Sequence, residues 1–205
     1  MKKLAPPIAA AAAVLALIGV AGASAPAAPA APVAAVAGPL DPGPYHHRLN
    51  GLVGTWRAVK TNYVLDPSAP IVSRDITVKV GWITKTGDRF LQERTEGTLG
   101  GDRYYRMGVL GFSTIDRRYE WTTFDSVTPT AMTYRGPALS AVPSVITIPG
   151  EFTDPGIFGP EYLGKTIPMR TVITLGRRPV FELFFTPPGQ AERLADKVVY
   201  TRRLA

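Results

Sequence analysis

The sequence predicts an all-β domain, an antiparallel up-and-down meander of about eight to ten strands closed into a barrel. Three observations carry this. From Tyr45 onward, short runs rich in Val, Ile, Thr, Tyr, Phe and Trp alternate with clusters of Gly, Pro and Asp. Apolar residues recur at the two-residue period of a strand, as in Ile76, Val78, Val80 and Trp82, and no helical period lasts beyond a turn or two. The runs follow one another through short connections, which suit hairpin-linked neighbours, and closure removes the edges such a sheet would expose. A two-sheet sandwich is the competing arrangement.

Each element has a local reason. Leu49, Leu52 and Val53 sit at helical spacing, so one short helical turn over Tyr45–Val53 precedes the sheet and Gly54 stops it. Strand one is expected from Thr55 to Leu65, ending at Asp66-Pro67. Strand two runs from Ser73 to Thr84, followed by the turn Lys85-Thr86-Gly87-Asp88. Strand three, Arg89–Leu99, and strand four, Arg103–Ser113, are joined by Gly100-Gly101-Asp102, a tight hairpin signal. Strand five is Arg118–Asp125, strand six Ala131–Arg135 and strand seven Val145–Phe152. The segment Asp154–Thr166 holds Pro155, Gly156, Gly159, Pro160 and Gly164 and reads as the longest loop. Strands eight to ten are expected over Pro168–Leu175, Pro179–Thr186 and Lys197–Arg203.

The first 44 residues differ in kind. All aromatic residues lie at or after Tyr45. Met1-Lys2-Lys3, the uncharged run Ile8–Val20 and the small residues Ala21-Gly22-Ala23 form the pattern of a secretory signal cleaved after Ala23. The apolar run is shorter than the roughly 20 residues of a spanning helix. Residues 24–44, dominated by Ala and Pro, cannot bury enough apolar surface to offset their ordering entropy and read as a disordered linker. The expected organisation is therefore signal 1–23, linker 24–44 and barrel 45–205, in an exported, periplasmic or secreted bacterial product with no stable membrane insertion.

Composition narrows the chemistry. The 205 residues contain no cysteine, which excludes a disulfide framework, a thiolate metal site and a cysteine nucleophile. The two histidines are adjacent, His46-His47, so neither a His-rich metal site nor a His-based triad is expected. The net charge of +7 is scattered, with no basic stripe interleaved with aromatics, so no nucleic-acid partner is expected.

Gly54-Thr55-Trp56 resembles the GxW signature of lipocalins and other calycins. That resemblance implies that Trp56 closes the barrel floor and that a basic residue of the last strand, Arg202 or Arg203, packs over it. The longer run His47-Arg48-Leu49-Asn50-Gly51-Leu52-Val53-Gly54-Thr55-Trp56 resembles the opening of the bacterial DUF1579 family of lipocalin-like proteins. Gly87-Asp88-Arg89-Phe90-Leu91, Gly108-Val109-Leu110-Gly111-Phe112, Tyr119 with Trp121, Asp125-Ser126, Ile146–Phe152, Asp154-Pro155 and Tyr200-Thr201-Arg202 continue the likeness in order. It implies a barrel and supplies no activity; His47 matches the family opening and is expected near the floor. Nitrobindin-like barrels hold haem through a histidine on a late strand, and this chain has none after His47, so no cofactor is expected.

Candidate ligand-binding residues follow from strand parity. Counting from Trp56 turns Lys60 and Asn62 inward unless strand one carries a bulge. Glu93 on strand three and Arg106 on strand four lie across the Gly100-Gly101 hairpin. Turned inward, they form a polar cluster; turned outward, a cross-strand ion pair. Trp121, Tyr134 and Glu182 complete the set. Glu151 and Asp154 at i, i+3 read as a strand end and a turn-initiating Asp rather than as a carboxylate pair. The expected function is binding of a small, mainly apolar or amphipathic molecule inside the barrel. The alternatives are a barrel enzyme using a Tyr/Glu/Arg set and a cavity-less barrel that acts through its surface; the sequence gives no catalytic residue.

Overall fold

The computed structural model describes Gly38 and residues 40–204, without the side chains of residues 202–204. The expected signal and residues 24–37 and 39 of the expected linker lie outside the described residues. A short helix α1 (Pro44–Arg48) runs into a 3-10 turn (Leu49–Leu52). Ten strands follow: β1 (Gly54–Asn62), β2 (Ile71–Trp82), β3 (Phe90–Leu99), β4 (Asp102–Ser113), β5 (Arg118–Asp125), β6 (Met132–Arg135), β7 (Val145–Thr153), β8 (Thr166–Thr174), β9 (Val180–Phe185) and β10 (Arg193–Leu204). Each pairs antiparallel with its neighbour in sequence, and β10 pairs with β1, so the sheet closes into a barrel and the sandwich alternative falls. Among the described residues no helix is long and apolar enough to cross a membrane.

Most strand ends lie within two residues of expectation, and the larger differences are local. β1 stops at Asn62, whose side-chain Oδ1 accepts the Val64 N–H at 3.2 Å and draws the chain into a turn. β10 starts early because Arg193 and Leu194 pair with Phe185 and Phe184. The β3–β4 hairpin turns on Gly100 and Gly101, with φ of 63° and 96°; a two-residue connection with both residues at positive φ favours glycine at each.

Bulges decide which residues face inward. Along β1 the inward series Trp56, Ala58, Lys60 runs unbroken, because the extra residues sit in its neighbours. Arg57 and Ala58 pair with Arg202 and Tyr200, leaving Thr201 over in β10. Ala58 and Lys60 pair with Ile76 and Ser73, leaving an extra residue in β2. The inward series of β2 therefore changes from Val80, Val78 and Ile76 to Ser73.

One end of the barrel is plugged. Leu49 and Leu52 are buried under the helical segment, and Tyr45 stacks on Phe112 with centroids 4.1 Å apart. The Tyr119 hydroxyl donates to the Tyr45 carbonyl at 2.9 Å. Trp56 lies on this floor: its indole N–H donates to the Leu52 carbonyl at 2.8 Å, and its ring leans on Tyr200. The histidine that packs here is His46, not His47. His46 is buried, its Nδ1 accepts the Gly43 N–H at 3.1 Å, and it meets Phe112 edge-on, whereas His47 is exposed. The phase of the short helix explains the correction, since His46, Leu49 and Leu52 follow one another at i, i+3 on the face turned to the barrel. Arg202 pairs through its backbone with Arg57, and its side chain lies outside the description.

Candidate functional site

The opposite end of the barrel holds a cavity of about 450 Å³. Its walls carry the apolar Val64, Leu65, Met132, Phe152, Leu183 and Phe185, with Asp102, Arg103 and Asp125 at the rim. Its depth is polar, with Lys60, Asn62, Tyr104, Arg106 and Asp196. A further space of about 20 Å³ lies among Lys60, Glu93, Thr95, Tyr104, Arg106, Phe181, Val198 and Tyr200. A larger depression of about 610 Å³ lies between Lys79, Trp82, Lys85 and Arg94, but it is a shallow surface feature. The interior cavity, which combines enclosure with convergent polar groups, is the candidate site.

Lys60 is buried, and its ammonium group forms an ion pair and hydrogen bond with Asp196 Oδ2. It also sits 4.9 Å from the centre of the Tyr104 ring. Burial alone would lower the Lys60 pKa, but the Asp196 carboxylate and Tyr104 outweigh it and hold the ammonium above its ordinary value. Asp196 keeps one buried oxygen, Oδ1, without a hydrogen-bond partner.

Arg106 forms the other half of the floor. Its guanidinium carbon lies 4.5 Å from the centre of the Trp121 ring, a cation–π contact. Burial would lower its pKa, but Glu93, with smaller contributions from Tyr104, Tyr134 and Asp196, pushes it well above the usual arginine value. Its Nε is enclosed and has no hydrogen-bond partner. Glu93 accepts a hydrogen bond from the Thr95 hydroxyl at 2.9 Å. Burial raises the phenol pKa of Tyr104, raises that of Tyr134 to about 12, and raises that of Tyr200 well above its ordinary value, so all three are neutral at physiological pH.

The structure therefore brings Lys60, Asn62, Glu93 and Arg106 together. Glu93 and Arg106 take the inward alternative, while Arg94, Glu96 and Tyr105 face solvent. Trp121 and Tyr134 are buried behind Arg106 and line neither space. They stack on each other at 5.1 Å, and Trp121 supports the guanidinium from behind. That arrangement needs Gly108: a Cβ there would stand 2.6 Å from Trp121 Nε1. Glu182 is not part of the cluster. It faces outward and pairs with Lys197 at 2.9 Å, because Phe181, Leu183 and Phe185 take the inward positions of β9. Asp154 is buried and accepts the Ile157 and Phe158 N–H groups at 2.8 and 3.3 Å, so it organises the long loop, while Glu151 is exposed.

Sequence reasoning missed Asp196, the partner of Lys60. The signal was present in the alternation Tyr200, Val198, Asp196, but the expected start of the last strand at Lys197 cut it off.

No curated protein matches this chain. Residues 41–202 match the family model described as a protein of unknown function, DUF1579, and with most of its length covered the chain belongs to that family.

Proposed function

We propose that the barrel binds a small, mainly apolar molecule through its open end, as an exported protein whose signal is removed after Ala23. The cavity carries this reading: about 450 Å³, with apolar walls, charged groups at its rim and a polar depth, within the usual range for small-ligand sites. A barrel that needed only to be stable would gain nothing from Lys60, Glu93, Arg106 and Asp196 inside it, since buried charges are costly even when paired. Dividing the interior between apolar walls and a few convergent polar groups suits a ligand that is largely hydrocarbon with one polar region.

Native mass spectrometry of the protein purified from its own host tests this, together with thermal denaturation against a panel of lipophiles. The expected result is a co-purifying small molecule, or a panel member that raises the melting temperature. Met132→Trp, which places a larger side chain at the mouth, should abolish that rise. A protein that carries no ligand and responds to no lipophile would defeat the reading. A mature N-terminus at Ser24 is the expected sign of export.

A further inference from the structure

Building on the binding reading, we infer that the ligand's polar end is an uncharged head group that both accepts and donates hydrogen bonds, such as an amide or an alcohol. Four charged side chains surround the inner cavity, and they cancel: Lys60 and Arg106 against Glu93 and Asp196. Lys60 and Asp196 are paired directly. Arg106 and Glu93 interact electrostatically but form no direct ion pair among the described residues; Arg106 rests on Trp121 and Glu93 on Thr95.

A carboxylate head would add a third negative charge to this balanced floor, and an ammonium head a third positive one. In either case the ligand would give up its hydration for a site that has already neutralised its own charges. Beneath the floor, one donor, Arg106 Nε–H, and one acceptor, Asp196 Oδ1, are unpartnered and closed over, both on residues that line the cavity, so a side-chain movement on binding is what presents them to a head group. A head group with an acceptor for the first and a donor for the second satisfies both without altering the charge. The mouth does not tip the balance toward anions, since Asp102 and Asp125 stand there beside Arg103.

The test compares four probes of equal chain length, decanamide, decanol, decanoate and decylammonium, titrated into the full mature chain by calorimetry. Decanamide and decanol should bind at least about tenfold tighter than either ion, the equivalent of about 1.4 kcal/mol. Glu93→Gln keeps the shape of the side chain and its bond to Thr95 while giving the floor a net positive charge; it should shift preference toward decanoate by about tenfold. Arg106→Gln should shift it toward decylammonium. The inference falls if the unaltered protein prefers decanoate or decylammonium. It also falls if all four probes bind alike and Glu93→Gln changes nothing, although the cavity reading would then stand. If no probe binds and the lipophile panel is also silent, both fail. Circular dichroism of Glu93→Gln establishes that the variant is folded, and an unchanged head-group preference in that folded variant also overturns the inference.

Discussion

At the plugged end of the barrel, Leu49, Leu52, Trp56, Phe112 and Tyr119 fill the space with carbon, and the polar atoms on Trp56 and Tyr119 are spent on backbone carbonyls. At the open end the same strands turn Lys60, Glu93, Arg106 and Asp196 inward around a cavity. The inward side of β1 changes from Trp56 to Ala58 to Lys60 within a few residues. Close packing and enclosed charge are thus separated along the barrel axis: one end is filled, and the other holds charges and space. Closure of the sheet makes this affordable, since every strand is hydrogen-bonded on both sides whatever its inward face contains.

The strongest way to break this contrast is to damage each end and attempt a rescue. Trp56→Ala should cost about 4 kcal/mol in urea unfolding, within the range for removing a large buried aromatic. Asp196→Ala should cost about 3 kcal/mol, because it leaves the Lys60 ammonium enclosed without its partner. The ends should then differ in repair. The double replacement Lys60→Met with Asp196→Leu should recover most of the stability lost at the open end, since two apolar groups replace a buried pair at little net cost. If the double variant is no more stable than Asp196→Ala, the pair has a structural role that charge neutralisation does not explain.

The contrast between the ends also explains what could be read from the sequence. Trp56, Lys60 and Asn62 were legible because β1 has no bulge of its own, so a count by two never loses phase. Glu93 and Arg106 were legible as a cluster because a two-glycine hairpin fixes the register of β3 against β4. Which face that cluster takes depends on closure of the whole barrel, and no local pattern carries that information. Glu182 misled because β9 is apolar on both faces: Phe184 lies outside, covered by Arg170 at 4.0 Å, so alternation gave no phase and the lone acid looked like a site. His47 misled because its place at the floor rests on the family resemblance, whereas the i, i+3 series that continues to Leu49 and Leu52 starts at His46.

A pH series sharpens the contrast from the plugged end. Burial lowers the His46 pKa below its ordinary 6.5; the Phe112 backbone opposes this, while His47 and Arg89 add to it. Below about pH 6.5 the unfolded chain takes up a proton that the folded chain resists, so the unfolded state binds more protons. Stability from this group is therefore complete above that pH and is lost as the pH falls through the lowered folded value. Urea midpoints for the unaltered protein should decline between about pH 7 and pH 5, and the decline should be shallower in His46→Gln. His47→Gln should alter it much less than His46→Gln does, since burial of His46 is the largest cause of the shift and His47 only a lesser one. Equal slopes in all three proteins would remove His46 from the account.

The smallest expected effect comes from the outer wall. Glu182 and Lys197 form a partly exposed cross-strand pair, with side chains 28% and 38% accessible. Such pairs are worth at most about 1 kcal/mol and weaken with salt, because water screens both charges. Glu182→Ala should therefore lower stability by less than about 1 kcal/mol, and added salt should shrink the difference. Its affinity for any cavity ligand should equal that of the unaltered protein, because the wall of β9 stands between this carboxylate and the interior. Glu93→Gln, by contrast, changes one inward carboxylate to its neutral isostere; it should alter ligand preference and also lower the urea midpoint, because enclosed Arg106 loses the carboxylate that stabilises its charge most. A tenfold loss of affinity in Glu182→Ala would mean that β9 can turn its outer face to the ligand, and the separation between a charged interior and a merely solvated exterior would not hold.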